Sequence, residues 1–211
     1  MRRLAILGAS GHGVVVADAA LATGWDEVTF FDARWPGLSS LGPWTVAGDD
    51  TRLLGMLAEY EGVVVAVGAN RARLSLHRSV AAAGGTLATI VHPSAVVSRF
   101  ARVGAGSVLC AGAVLSPFAQ LGEATIINTA ATVDHDCILA DAVHVSPGAH
   151  LGGTVRVGEA SWIGIGAAVR HGIVIGADVV VGAGAAVVAD IADRLTVAGV
   201  PARRLHPLVP Q

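Results

Sequence analysis

From residue 91 onward an aliphatic residue returns every six positions: Val91, Val97, Val103, Leu109, Leu115 and so on to Val181 and Val187, with no slip. Four places after each comes a small or β-branched residue, from Ala95, Ala101 and Ser107 to Ile191. Gly often follows the aliphatic directly, as at Gly104, Gly122, Gly152, Gly158, Gly164, Gly176 and Gly182. A period of six fits neither an amphipathic helix nor a simple alternating strand. It predicts a solenoid in which each aliphatic stacks on its counterpart in the next coil and only a small residue fits beside it. The glycines are expected to let the backbone turn each corner.

The first 90 residues follow a different pattern. Leu4–Leu7 reads as a short strand, followed by GASGHG and a helix to about Ala22. Val28–Phe31 is a second strand ending at Asp32, and Asp49 or Asp50 is placed to cap a helix reaching about Glu59. Val63–Val67 is a buried strand, and Gly68-Ala69-Asn70 opens a helix to about Ala83. This βαβ alternation predicts a small parallel sheet, too short for a full dinucleotide domain. The division is therefore 1–90 (α/β), 91–193 (solenoid) and 194–211 (tail). The AGVPAR stretch of the tail leaves the repeat and is expected to form a terminating turn.

Composition supports a packed, repetitive core. Of 211 residues, 53% are hydrophobic but only 4% aromatic, and 14% are charged. The mean hydropathy is +0.64. With a net charge of −2 and no basic stripe, nucleic-acid binding has little electrostatic support. All fourteen basic residues are Arg, which excludes a Lys Schiff base or a Walker lysine. The apolar run after the first Arg pair is too short for a signal peptide, and nothing approaches a membrane-spanning length. Cys110 and Cys137 lack metal spacing and suggest a reduced, cytoplasmic protein without disulfides.

Polar chemistry concentrates in residues 127–153, INTAATVDHDCILADAVHVSPGAHLGG, which hold three of the eight His and one of two Asn. An imidazole beside a carboxylate, as in His135–Asp136, is suited to take a proton from an attacking amine or hydroxyl. His135 stands out because two Asp flank it where small residues prevail. Asp134 reads as a solvated neighbour. His77, His92, His150 and His206 read as structural or surface residues, and Cys137 as inward packing. His171 falls in the same phase of the repeat as His135 and reads equally as a functional or a surface residue. GASGHG, with Gly8, Gly11 and Gly13, is not the dinucleotide fingerprint. It does place backbone N–H groups at a helix N-terminus, where a pyrophosphate can bind.

GASGHG, VAVGANRAR, NTAATVDHD and AGVPAR together span nearly the whole chain. The sequence resembles the sugar O- and N-acyltransferases that include sialic acid O-acetyltransferases and the UDP-4-amino-sugar N-acetyltransferases of bacillosamine-type pathways. The resemblance implies a left-handed parallel β-helix with three hexads per coil, acetyl-CoA as cosubstrate, no metal, and a homotrimer with its site between subunits. It implies His135 as the catalytic base, Asp136 as the residue raising its basicity, His144 as a contact to acetyl-CoA and Asn128 in the same cleft. It places the nucleotide-sugar near Ser10, Gly11, His12, Asp32 and Gly68, with Arg71 where a relative carries an acid. Ile165 and Ala183 fall on backbone contacts to acetyl-CoA. Gly153, eighteen residues after His135, is a geometric candidate to offer its N–H to the oxyanion.

The reaction expected is acetyl transfer to the 4-amino group of a UDP-linked amino-deoxysugar, without an acyl-enzyme. A sugar hydroxyl, or a GDP- or dTDP-linked amino sugar, is the near alternative. A zinc hydratase of the γ-carbonic anhydrase type shares the solenoid, and His135 and His171 have a fitting separation, but Gly176 stands where a third ligand is needed. A non-catalytic scaffold leaves the His135–Asp136 pair unexplained.

Overall fold

The computed structural model describes residues 1–205; His206 lies outside them. Seventeen two-residue strands, from Ile90–Val91 to Ala186–Val187, each end on the repeated aliphatic. They pair in parallel with the strand eighteen residues away, as in Val114↔Thr132 and Ile126↔His144. Three sheets result, the faces of a left-handed β-helix. The first face begins at Ile90–Val91, the second at Val96–Val97 and the third at Arg102–Val103. The aliphatics from Leu109 to Val187 and the small residues from Ala113 to Ala185 form one continuous buried core, interrupted by hydroxyls. Where the inward small position is polar, it is bonded: Ser107 Oγ donates to Gly122 O (3.1 Å), Cys137 Sγ to Gly152 O (3.2 Å) and Ser161 Oγ to Gly176 O (2.7 Å).

The glycines after the aliphatics have a different role from the one expected. The left-handed corner conformation falls two positions later, at Gly106, Gly112, Gly148, Gly166, Gly172 and Gly184. It also falls on Phe118, Ala124, Ala130, Asp136, Ala142, Thr154, Ala160 and Asp178. The glycines after the aliphatics are needed because coils approach closely: a Cβ on Gly122 would lie 2.6 Å from Asp141 N. The tail also differs. Thr196–Ala198 still pairs in parallel with Val180–Val181 on the first face. The chain then reverses, and Arg203–Arg204 pairs antiparallel with it. This covers an edge that would otherwise expose unpaired backbone.

The N-terminal sheet has the order β3-β4-β2-β1-β5. Its strands are β1 (Arg3–Leu7), β2 (Glu27–Phe31), β3 (Ser40–Leu41), β4 (Trp44–Gly48) and β5 (Gly62–Val65). β1 lies between β2 and β5 and is parallel to both. Alternation along β1 sends Leu4 and Ile6 into one core and Ala5 and Leu7 into another. The first core holds α1 (Gly11–Leu21) and continues to Ile90 and Val108 of the β-helix. The second takes Leu53 from α2 (Asp50–Leu54) and Val80 from α3 (Asn70–Ala82). Asp49 caps α2, accepting the Arg52 N–H at 2.8 Å. α2 stops at Gly55, short of the expected Glu59, and a 3₁₀ turn, Leu57–Glu59, follows. The β3–β4 hairpin was not foreseen.

α3 clamps this domain to the β-helix. Buried Arg73 donates to Ala124 O and Ala142 O, both at 2.8 Å, and to Asn70 Oδ1. Asn70 Nδ2 donates to Ala160 O (2.9 Å) and Ser161 O (3.1 Å). Ala124, Ala142 and Ala160 are the same corner residue in successive coils, so one helix turn binds a column of carbonyls.

Candidate active site

Val133 ends a strand of the second face, and Asp134–Cys137 forms the corner leading to the third. His135 projects there with its side chain 56% exposed. Its Nδ1 lies 2.8 Å from Asp136 Oδ2. Asp136 sits in the left-handed conformation, which short polar side chains tolerate. The carboxylate fixes the proton on Nδ1 and leaves the Nε2 lone pair free. Its hydrogen bond raises the His135 pKa above the ordinary value, outweighing desolvation. Asp134 accepts the His135 N–H at 2.8 Å, so it braces the corner backbone.

Gly153 occupies the same corner one coil above; the neighbouring Thr154 N donates to His135 O at 2.8 Å. A Cβ at Gly153 would lie 2.5 Å from His135 Nε2, so only glycine leaves the imidazole in place. Some corner amides are bound by side chains, that of Glu123 by Asp141, Thr129 by Asn128, His135 by Asp134 and Ala177 by Asp193, whereas those of Ala105, Ala111, Ile165, His171 and Ala183 meet no acceptor among the described residues. The Gly153 N–H meets no acceptor among the described residues. A proton acceptor and an unengaged donor are thus adjacent, the pairing that acyl transfer needs.

A second group lies on the first face, under the N-terminal domain. His144 is 6% exposed. Its ring centroid is 4.4 Å from Trp162 and 6.4 Å from His12. Asn128 Oδ1 accepts the Thr129 N–H at 2.8 Å, which orients its Nδ2 toward His144 Nε2 at 3.1 Å. Burial, reinforced by the Arg73 charge, holds His144 neutral with a pKa of about 3 and His12 with one of about 4. His12 Nε2, His144 Nδ1 and Ser146 Oγ are buried without a partner.

The glycine loop joins β1 to α1. Ser10 is the N-cap but makes no side-chain cap bond, and both Ser10 and Gly11 are exposed. A Cβ on Gly11 would meet nothing within 4 Å. Asp32 accepts the Ala9 N–H at 2.7 Å and the Arg34 Nε–H at 2.7 Å. Arg34 holds its carboxyl at about 2. A cleft of about 260 Å³ opens beyond the strand ends, lined by Leu7, Gly8, Asp32, Ala33, Asp50, Val67 and Leu76. This is where open α/β sheets receive ligands. Gly68 follows Val67 in the chain, and a Cβ on it would meet nothing within 4 Å.

Arg71 is placed elsewhere. Its guanidinium pairs with Asp178 (2.6 Å) and with Glu159, bracing α3 against the β-helix rather than lining the cleft. Ile165 is exposed on the corner after the first face, and its carbonyl accepts the Gly184 N–H at 2.7 Å; Ala183 adjoins it one coil on. The sequence reading gave no site role to Arg34, Asp50, Arg73 or Trp162. Asn70 and Arg73 stand three apart at a helix start, a spacing that puts both on one face.

The topology separates the two groups. The glycine loop, His12 and His144 lie against the first face, whereas His135 and Gly153 lie on the corner between the second and third. Fold and site together define a hexapeptide-repeat acyltransferase.

The comparisons with known proteins agree. Residues 3–80 match the PglD N-terminal domain family. The acetyltransferase domain of PglB from Neisseria gonorrhoeae, solved with acetyl coenzyme A, is 46% identical, with a TM-score of 0.93 over 97% of this chain and 99% of that one. A variant of perosamine N-acetyltransferase from Caulobacter crescentus, solved with CoA and GDP-perosamine, is 40% identical, with a TM-score of 0.93 over 98% of each chain. WeeI from Acinetobacter baumannii is 25% identical, with a TM-score of 0.87 over 97% of this chain and all of that one. No curated protein matches. The chain belongs to the hexapeptide-repeat sugar N-acetyltransferases with a PglD-type N-terminal domain. It is an acetyltransferase.

Proposed function

We propose that this chain transfers the acetyl group of acetyl-CoA to the 4-amino group of a nucleotide-linked amino-deoxysugar in bacterial glycan synthesis, with His135 as general base. The observation that carries the reading is the exposed His135–Asp136 pair beneath the unengaged N–H of Gly153. As the amine attacks the thioester carbonyl, His135 Nε2 takes its proton and Asp136 stabilises the imidazolium. The Gly153 N–H receives the developing oxyanion. Collapse of the tetrahedral species breaks the C–S bond, and the proton passes to the departing thiolate. An acyl-cysteine is unsuited: Cys110 and Cys137 are fully buried, and burial pushes both thiols up to about 11.

Asp32 and the cleft beside Gly8 would take the nucleoside, and the amides at Ser10, Gly11 and His12 its phosphates. Gly68 leaves the cleft rim open. Asn128 and His144 would wall the acceptor side, and the backbone of Ile165 and Ala183 would hold the pantetheine arm of acetyl-CoA. Because one chain keeps His135 apart from the glycine loop, the complete site needs two copies, as in a homotrimer. We place the reaction in the cytoplasm, where acetyl-CoA is available. The motif resemblance favours UDP, and the likeness to the perosamine enzyme favours GDP as the second choice.

A thiol-release assay with acetyl-CoA and a panel of UDP-, GDP- and dTDP-linked 4-amino-sugars tests the reading. Turnover on one of them, lost in His135→Ala, is expected. Turnover on free sialic acid alone would replace the acceptor with a sugar hydroxyl.

A further inference from the structure

Below His135 the same corner carries two exposed aromatic side chains. Phe118 stands one coil below Asp136, whose N–H donates to Pro117 O at 3.2 Å, and Phe100 one coil below Phe118. Each is 55% exposed, and their ring centroids are 5.7 Å apart. Phe118 adopts φ 64°, a conformation in which a bulky exposed side chain is unusual. With Arg102 and Gln120 the pair lines an open cleft of about 370 Å³. Arg99 lies over the Phe100 ring at 5.2 Å. Among the described residues neither Arg99 nor Arg102 has a salt-bridge partner.

α1 carries a matching surface. It descends the first face from His12, beside His144, toward Ile90 and Val108 lower in the tube. Its buried side holds Val16, Ala17 and Ala20, and its exposed side Gly11, Val15, Asp18 and Leu21. Val15 is 44% and Leu21 41% exposed, and Asp18 has no salt-bridge partner among the described residues. Measured from Gly11, Val15 lies about 6 Å and Asp18 about 10 Å along the helix. Measured from Asp136, Phe118 lies about 5 Å and Phe100 about 10 Å down the corner. A rotation axis parallel to the tube keeps two copies level. The catalytic corner of one copy facing the glycine loop of the next then sets Phe118 opposite Val15, and Phe100 with Arg99 opposite Asp18.

We propose that Phe100 and Phe118 form the seat for the first helix of a second copy of this chain. The seat fixes how far His135 of one copy stands from the glycine loop of the other. The inference rests on reading His135 as a base shared between copies.

A chain carrying Val15→Cys with Phe118→Cys tests it, because both native cysteines are buried. Mild oxidation should give a covalent ladder ending at the closed oligomer, while each single variant gives none. A second test exchanges charge. Asp18→Arg should lower kcat/KM about tenfold at nanomolar enzyme, with recovery at micromolar enzyme by mass action. Adding Arg99→Asp should restore it. An oligomer of normal mass and full turnover that neither cross-links nor responds to the charge exchange overturns the seat alone. Full turnover by a chain that light scattering shows to be monomeric overturns the shared-site reading as well.

Discussion

His135 and His144 are the same side chain in opposite surroundings. His135 stands on an exposed corner where one carboxylate raises its pKa. His144 is buried under the N-terminal domain, where desolvation and the Arg73 charge hold it neutral. Near neutral pH the first is the stronger base. The second stays neutral there and offers shape and hydrogen bonding rather than charge. A histidine's role here follows from which corner or face of the tube it occupies, and that is set by its place in the eighteen-residue coil: His150 shares the six-residue phase of His144 but lies on the second face and is exposed.

The buried side breaks most severely at Arg73. Arg73→Met should cost about 3 kcal/mol or more, since the carbonyls of Ala124 and Ala142 lose their donor inside the protein. Thermal unfolding at pH 7 measures it. The same side makes the fold acid-sensitive. His12 and His144 have lowered folded pKa values of about 4 and about 3, so the unfolded chain binds more protons once pH drops below about 6.5. Stability should therefore fall steadily from about pH 6.5 toward pH 4, and His144→Asn should flatten that slope in chemical denaturation.

The exposed corner breaks function and leaves stability. His135→Ala should lower kcat on the order of 10²-fold or more with an unchanged melting temperature. Asp136→Asn should act more mildly, about tenfold in kcat/KM. Activity requires neutral His135, so it is lost as pH falls through the raised pKa. Removing the carboxylate should move that acid limb to lower pH, and NMR titration of the imidazole should follow the same shift. The smallest effect belongs to Arg71. Its ion pairs with Glu159 and Asp178 are exposed, so Arg71→Ala should change stability by less than about 1 kcal/mol. The KM for the nucleotide-sugar should hardly move.

The repeat made the β-helix legible, because each aliphatic from Val91 to Val187 occupies the same inward position. Combined with the three hexads per coil that the resemblance implies, it also placed Gly153 over His135. What the repeat hid was the reason for its glycines. Stacking distance is a property of the neighbouring coil, and the turning residue is tolerant enough to be Phe118 or Asp136. The β3–β4 hairpin carries little alternation, and its pairing with β2 is long-range. Arg73 was unreadable for a related reason: its acceptors are backbone carbonyls from successive coils, and carbonyls leave no mark in a sequence. Arg71, in the same motif, was grouped with the nucleotide-sugar residues by resemblance; its partners Asp178 and Glu159 lie far along the chain, in the β-helix.

The central claim is that the base of one copy acts on an acceptor held by another. Co-expressing His135→Ala with Gly11→Glu tests it most directly. Gly11 has open space around it, so the added carboxylate repels phosphate without disturbing the fold. Each variant alone should be inactive. Mixed oligomers should recover about one quarter of wild-type turnover, the share of interfaces that pair an intact His135 with an intact loop. No recovery in mixed oligomers of normal mass would contradict the account.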